Sequence, residues 1–219
     1  MAAVVSGRHH RREARPSKFL EPDPVVRTAL ALLDRDGLDA FSMRRLAAEL
    51  GVSSMAAYYH FPSKASLLAE VYQHAFSERP VPEPGGPWLE EALALAHWIR
   101  DGFLAHPVAV TLRNHVPWPT PGSVQIAERW LDVLRRAGFE DAGLARAYHT
   151  VVAAILGLAE QEATAATRPL SKDFDRAIEK APSLKAVLPA LQQVDRRDAF
   201  ENALRILFSG LLAQEDFAR

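Results

Sequence analysis

Apolar residues recur at helical spacing along most of the chain. The first stripe comprises Val25, Val26, Ala29, Leu30, Leu32 and Leu33. Asp23 and Pro24 supply an N-cap and a first-turn proline ahead of it, and Gly37 supplies a helix stop. We find no alternating run of β-branched residues bounded by turn residues. The pattern therefore predicts an all-α protein.

Three further short helices are predicted directly after the first. Ser42, Ser53 and Ser63 each stand where a side-chain oxygen can cap a helix. After Ser42 the apolar residues Met43, Leu46, Ala47 and Leu50 follow the spacing of one helix face. The third helix is expected to end at His60, because the residue before Pro62 avoids the helical region.

The chain divides into three segments. Residues 1–20 are basic and lack apolar periodicity, which predicts a disordered leader. Residues 21–77 form a compact run of short amphipathic helices, and residues 78–219 carry longer helical patterns. The Pro- and Gly-rich stretch 80–87 separates them and is either a linker or an ordered loop.

Composition and charge narrow the class of protein. The chain has 219 residues, no cysteine and a net charge of −1. Without cysteine there is no disulfide framework and no thiolate metal site. The net charge hides a basic leader and a slightly acidic remainder, so it excludes neither nucleic-acid nor other partners. No apolar run has the ~18 residues of a membrane span and the leader lacks an apolar signal core, so we expect a cytoplasmic protein with no membrane partner.

The second and third predicted helices, joined by a tight turn containing Gly51, match a helix-turn-helix. Leu46, Leu50, Val52 and Ala57 pack one helix on the other, which leaves Ser54, Met55, Ala56 and Tyr58 on the opposite face. Small residues on that face permit close approach to a major groove. Nearby, Tyr59, His60 and Lys64 offer donors, and Ser53 opens a helix whose free N–H groups suit a phosphate. The alternative from this pattern alone is an ordinary three-helix packing unit.

The segment from Phe41 to Ser53, together with Tyr58-Tyr59-His60-Phe61-Pro62-Ser63-Lys64, resembles the DNA-binding domain of TetR-family transcriptional regulators. By position, the resemblance implies DNA contacts from Arg44, Ser54, Met55, Ala56, Tyr58, Tyr59, His60 and Lys64. It also implies an N-terminal three-helix helix-turn-helix domain, followed by an α-helical regulatory and dimerisation bundle. The implied partners are a double-stranded DNA operator, a small-molecule effector and a second copy of the chain.

The C-terminal half is similar to the regulatory domain of the tetracycline-repressor branch, which implies an effector pocket. The pocket candidates are the aromatic residues Trp98, Phe103 and Trp130 and the polar residues Asn114, His115, His149 and Glu160. Aromatic residues at helical spacing belong more often to a core than to a pocket, so both assignments stay open. The histidines lack the spacing of a metal motif, and we expect neither metal nor cofactor.

A long helix over Ala147–Ala166 is apolar on most faces and needs cover on all of them. A partner subunit is the expected cover, and burial wholly within one chain is the alternative. The expected interface comprises Val151, Val152, Ile155 and Leu158 from this helix and Phe200, Leu204, Leu207, Phe208 and Leu211 from the last helix. The resemblance implies that these helices form a four-helix bundle between subunits.

The sequence thus predicts a ligand-responsive transcriptional regulator, a repressor that binds a palindromic operator as a homodimer and leaves it when an effector binds. An all-α enzyme is one alternative. It has little support, because the chain lacks a nucleophile elbow, a phosphate-binding loop and a zincin motif. A protein that sequesters a ligand without binding DNA is the other alternative.

Overall fold

A computed structural model describes residues 22–117, 119–165 and 171–218. Within these ranges the chain forms eleven α-helices and no strand, which confirms the all-α prediction. The N-terminal helices are α1 (Pro22–Asp36), α2 (Met43–Glu49), α3 (Ser54–His60) and α4 (Lys64–Ser77). They are followed by α5 (Trp88–Ala105), α6 (Val108–Arg113), α7 (Pro121–Arg136), α8 (Asp141–Ala165), α9 (Phe174–Glu179), α10 (Pro182–Gln193) and α11 (Arg196–Ala218). The predicted leader, residues 1–20, lies outside the described residues.

The predicted serine caps fix where the short helices begin. The Ser42 side chain accepts a hydrogen bond from the Arg45 backbone N–H at 3.2 Å, and Ser53 caps α3 in the same way. Ser63 and Ser66 form a reciprocal capping box at the start of α4. Each cap satisfies backbone donors that the first turn of a helix leaves unpaired.

Two glycines end the helices that precede the turns. Gly37 has φ +76° and Gly51 has φ +68°, values that strain a residue with a side chain. After Gly51 the Val52 N–H bonds back to the Ala47 carbonyl at 3.0 Å, which closes the tight turn between α2 and α3. The local sequence therefore determines the helix-turn-helix geometry.

The larger C-terminal unit is built around α8, which packs against α5, α7 and α11. Val151, Ile155 and Ala159 on its inner face have no exposed surface. Among the described residues, α8 is the one helix long and apolar enough to cross a membrane. Its packing against three neighbours on one side is typical of the central helix of a bundle.

The Pro- and Gly-rich stretch 80–87 is an ordered loop rather than a free linker. The buried Glu91 of α5 accepts the Gly85 N–H at 3.1 Å and forms ion pairs with Arg129 and Arg136 of α7 at 2.6 and 2.5 Å. Arg136 also donates to the Gly86 carbonyl at 2.8 Å. One carboxylate thus fastens the loop to two helices of the bundle.

The end of α4 is built into the C-terminal unit. Phe76 of α4 contacts the rings of Trp98 and Phe103 of α5, with centroids 5.7 and 5.3 Å away. Arg79 donates to the Trp98 carbonyl at 2.9 Å, and the Trp98 indole N–H donates to the Arg79 carbonyl at 3.2 Å. Gly102 lies directly under Phe76 and leaves room for its ring. A shift in α5 therefore moves α4.

Substituting Gly102→Ala is expected to lower the free energy of unfolding by about 1 kcal/mol. The added methyl group would lie 2.5 Å from Cε1 of Phe76, so the ring has to move, and overpacking of this kind costs about 2 kcal/mol. Replacing a helical glycine offsets about 1 kcal/mol of this cost through helix propensity. Urea unfolding followed by circular dichroism measures the difference. Gly86→Ala is the control, because no atom lies within 4 Å of its added methyl group; unchanged stability of Gly102→Ala would show that Phe76 yields freely.

Candidate nucleic-acid interface

Two buried residues hold α3 on the N-terminal unit. Ala57 has no exposed surface and Phe61, which follows the helix, is 6% exposed. The Phe61 N–H bonds to the Ala57 carbonyl, and its extended backbone ends the helix before Pro62. These anchors fix which side of α3 faces outward.

The outward face of α3 carries the residues that the helix-turn-helix pattern singled out. Met55 is 80% exposed, Tyr59 76% and Tyr58 45%, while Ser54 is exposed and Ala56 and His60 are partly buried. The rings of Tyr59 and His60 meet edge to face with centroids 5.3 Å apart. Three large apolar or aromatic side chains in water on a seven-residue helix are unusual for a packing unit and typical of a binding surface.

Three basic residues lie near this face, Arg44, Arg45 and Lys64, but two of them already contact other groups. Arg45 forms an ion pair with Asp36 at 2.8 Å and donates to the Ala40 carbonyl, so it fastens α2 to the end of α1. Lys64 donates to the Phe41 carbonyl at 2.9 Å and lies over the Phe41 ring. Of the three basic side chains, Arg44 is exposed and pairs with no carboxylate among the described residues.

Lys64 was predicted to contact phosphate. Its ammonium group already binds the backbone at the start of α2, and it is partly buried. An ammonium has three N–H donors, so a second acceptor remains possible. The geometry assigns Lys64 a structural contact first, and the phosphate contact stays a prediction.

The predicted pocket residues do not converge in the described structure. Trp98 and Phe103 pack against Phe76 at the α4–α5 junction. Asn114 and His115 are exposed after α6, and His115 contacts the Thr111 carbonyl. His149 is exposed on α8 in the single chain.

Two other pocket candidates have defined surroundings. Glu160 of α8 forms an ion pair with Arg113 of α6 at 3.0 Å. Trp130 of α7 is 1% exposed and therefore a core residue, and its indole N–H has no acceptor among the described residues. A buried donor without an acceptor costs about 1–3 kcal/mol, so this nitrogen is a position where a bound acceptor is favoured.

Two grooves in the described part lie elsewhere. One groove of about 580 Å³ runs between the end of α8, α10 and the start of α11, and includes Glu162, Leu191 and Phe200 in its walls. A second, of about 610 Å³, lies between the 80–87 loop and α7. None of the seven predicted pocket residues lines either groove. Glu162 in the wall of the first forms a two-pronged ion pair with the buried Arg100.

Sequence reasoning did not find the residues that carry the strongest polar contacts. Glu91 and Arg100 are the two charged side chains among the otherwise apolar buried residues of α5, and both have partners from other helices. His106, just after α5, contacts two carboxylates. A charge within an apolar helix is the signal that would have indicated the first two, because burial of a charge requires a partner.

The predicted subunit interface is corrected by burial within one chain. Five of the nine predicted residues have no more than 3% of their surface exposed: Val151, Ile155, Phe200, Leu204 and Phe208. They fill the space between α8, α5 and α11 and cannot add area to a contact with another chain. Val152, Leu158, Leu207 and Leu211 remain partly exposed.

Small residues are exposed on both α8 and α11. Ala153 and Gly157 of α8 are exposed, as are Ser209 and Gly210 of α11. We name these four residues the small-residue face. Ile206 of α11, one turn before Gly210, is 65% exposed. Short side chains permit two helix pairs to approach closely, because they reduce the distance between helix axes.

Comparison with known proteins gives a consistent result for both units of the chain. Residues 25–71 match the family model of bacterial regulatory proteins of the tetR family, and residues 80–215 match the tetracyclin repressor-like C-terminal domain. The chain is 30% identical over 190 residues to the HTH-type transcriptional repressor DrrR1 of Streptomyces coeruleorubidus, covering 84% of this chain and 69% of the relative.

Two solved structures from Streptomyces coelicolor share the fold. A possible TetR family transcriptional regulator has a TM-score of 0.74 at 32% identity, with 88% of this chain and 99% of the other covered. ActR in complex with actinorhodin has a TM-score of 0.71 at 29% identity, with 89% and 98% covered.

Proposed function

The chain belongs to the tetR family of bacterial regulatory proteins, and from this premise we propose how its own residues carry out that role. It is a ligand-responsive DNA-binding transcriptional regulator. We propose that it acts as a repressor, as the name of DrrR1 indicates for that relative, and that it works in the cytoplasm and catalyses no reaction. The exposed outward face of α3 is the observation that carries the proposal.

DNA recognition is assigned to Arg44 and the outward face of α3. Met55 and Tyr58 supply apolar contact to base edges and sugars, and Ser54 and Tyr59 supply hydroxyl groups. Contacts of this kind select sequence through groove shape and thymine methyl groups more than through paired hydrogen bonds. The operator is therefore expected to tolerate changes at several positions within each half-site.

Selection of bound fragments from a random DNA pool tests this assignment directly. A homodimer that places two α3 helices in successive major grooves enriches a palindrome with half-site centres about 34–36 Å apart. Enrichment of a single unpaired motif would contradict the dimer, and absence of any enriched sequence would favour the ligand-sequestering alternative.

Substituting Arg44→Ala and Tyr58→Ala is expected to weaken operator binding by about 1–3 kcal/mol each. Arg44 carries the unpaired positive charge, and Tyr58 is exposed on α3. Fluorescence anisotropy on the selected DNA measures both. Lys185→Ala is the matched control, since it also removes one positive charge but lies on α10, paired with Glu179 at 2.7 Å. Equal losses in all three variants would indicate general electrostatic attraction rather than a defined surface.

Homodimer formation is assigned to the small-residue face. His149 lies on the outer side of α8 two turns before Leu156, so its partner is expected to come from the second copy. The second copy is therefore the expected source of a contact for His149. The proposed interface lies on the outer side of α8 and not on the buried inner faces. Sedimentation analysis of the purified chain tests the oligomeric state.

The effector is expected to act through the α4–α5 junction. Trp98 and Phe103 contact α4, and α4 leads directly back to the helix-turn-helix. A ligand that displaces α5 or supplies an acceptor to Trp130 favours a different position of α4, and affinity for DNA falls by the difference in binding energy between the two states. The related ActR is in complex with actinorhodin in its solved structure, which supports a screen that begins with actinorhodin. Thermal-shift measurements detect binding, because a ligand of the folded state raises Tm.

A further inference from the structure

His106 lies at the point where the two units of the chain meet. It follows the last residue of α5, and its backbone N–H bonds to the Gly102 carbonyl. Its side chain reaches Asp34 of α1 with Nδ1 at 2.7 Å and Glu78, just after α4, with Nε2 at 3.3 Å. The ring is 14% exposed, so these contacts are partly shielded from water.

The two contacts together require a charged ring. A neutral imidazole has one N–H and one acceptor nitrogen, whereas a carboxylate only accepts. Both nitrogens of His106 donate to Asp34 and Glu78 simultaneously only in the imidazolium form. The groups that face the ring from α1 and from the end of α4 are both acidic, and the nearby Arg79 is paired with Asp101 of α5 at 3.3 Å.

We infer that His106 is a positioning residue that fixes the helix-turn-helix unit on the regulatory unit through its two carboxylate contacts. The inference deepens the proposed function and rests on it for its regulatory meaning. Asp34 belongs to α1, which packs on α2 and, through α2, carries α3. Glu78 belongs to the end of α4. One ring therefore holds both N-terminal helices that connect the recognition surface to α5.

Removal of the ring leaves both carboxylates without this donor. The α1 contact and the α4 contact to the end of α5 are then lost together. The recognition helix consequently gains freedom relative to the bundle, independently of an effector.

Distance measurement between two spin labels tests this without DNA. The chain has no cysteine, so Ala48→Cys on α2 and Glu128→Cys on α7 give one label in each unit. Both residues are exposed, and dilution with unlabelled protein restricts the signal to one chain. We expect one narrow distance for the parent protein.

Three variants test the bridge. His106→Gln is expected to give a broad distance distribution, because its amide cannot replace a charged double donor. His106→Arg is expected to keep the narrow distance, since guanidinium is charged and offers several donors. Asp34→Asn leaves the histidine in place and is expected to broaden the distribution. Narrow distances in His106→Gln and Asp34→Asn, equal to those of the parent, would overturn the inference.

His97→Gln is the matched control, because His97 is about as buried as His106 but contacts a carboxylate, Glu201 of α11, within the regulatory unit. Anisotropy on DNA from the selection then measures the consequence, and we expect about tenfold weaker binding for His106→Gln and parental binding for His106→Arg. Unchanged affinity in His106→Gln overturns the inference. If no DNA is selected but the distances respond as described, the positioning role stands and the proposed function fails.

Discussion

Replacing Glu91 with alanine is expected to lower the free energy of unfolding by about 3–5 kcal/mol, the loss typical of breaking a buried ion pair from one side. The carboxylate is 1% exposed and is bound by Arg129, Arg136 and the Gly85 N–H. Its removal leaves two guanidinium groups facing each other without their shared counter-charge. It also releases the 80–87 loop, which the same carboxylate fastens to α5.

Thermal and urea unfolding measure this loss, and Glu90→Ala supplies the control. Glu90 is the preceding residue of the same helix, carries the same charge and is exposed. Its substitution is expected to change stability by less than about 0.5 kcal/mol, as at other surface positions. Equal effects of the two substitutions would show that the buried network contributes nothing beyond a surface charge.

The pH dependence of this network has a defined sign. Burial raises the pKa of Glu91, but hydrogen bonds from Arg129, the Gly85 N–H and Arg136 outweigh it and hold the pKa below its ordinary value. A lowered pKa in the folded state stabilises the protein above the unfolded pKa of about 4.3. The difference in free energy of unfolding between the parent and Glu91→Gln is therefore expected to be largest at neutral pH. It is expected to shrink as the pH falls through the pKa that Glu91 has in the folded state.

The local elements of the helix-turn-helix could be predicted from the sequence. Ser42 and Ser53 cap their helices and Gly51 closes the turn, because caps and left-handed turns depend on residues a few positions apart. The exposure of Met55 follows from the same local pattern, since Ala57 fixes the buried side of a short helix.

Long-range pairing could not be predicted in the same way. Lys64 was expected to contact DNA, but its ammonium group binds the Phe41 carbonyl, 23 positions away. Arg45 likewise pairs with Asp36, nine positions away. The buried contact between Arg100 and Glu162 joins residues 62 positions apart. Periodicity identifies the face of a helix, whereas the partner of a charge depends on which helices meet.

The inner and outer sides of α8 were confused for a related reason. A helix that is apolar nearly all round gives no periodic signal of which side faces its own chain. Val151 and Ile155 were therefore assigned to the partner, although they lie in the core of one chain. Exposure of Ala153 and Gly157 identifies the other side as the one available for a second copy.

Substituting Gly157→Arg is expected to abolish the dimer and to weaken operator binding by about 10²- to 10⁴-fold. A dimer binds its second half-site with the advantage of a high effective concentration, and a monomer loses that gain. Within one chain no atom lies within 4 Å of a side-chain carbon added at Gly157, so the fold of the monomer accommodates the longer residue. Between two copies packed through the small-residue face, the same side chain occupies the space of the partner helix and buries an unpaired charge.

Gly157→Ala separates this effect from a general disturbance of α8. Its methyl group also meets open space within one chain, and it removes the flexibility of a glycine inside a helix, a gain of up to about 1 kcal/mol. It is expected to keep the dimer and to bind the operator as tightly as the parent. Sedimentation velocity and anisotropy on the selected palindrome measure both variants. A dimeric Gly157→Arg with full operator affinity would place the subunit interface on another surface, because a charged side chain of that length cannot be accommodated between closely packed helices.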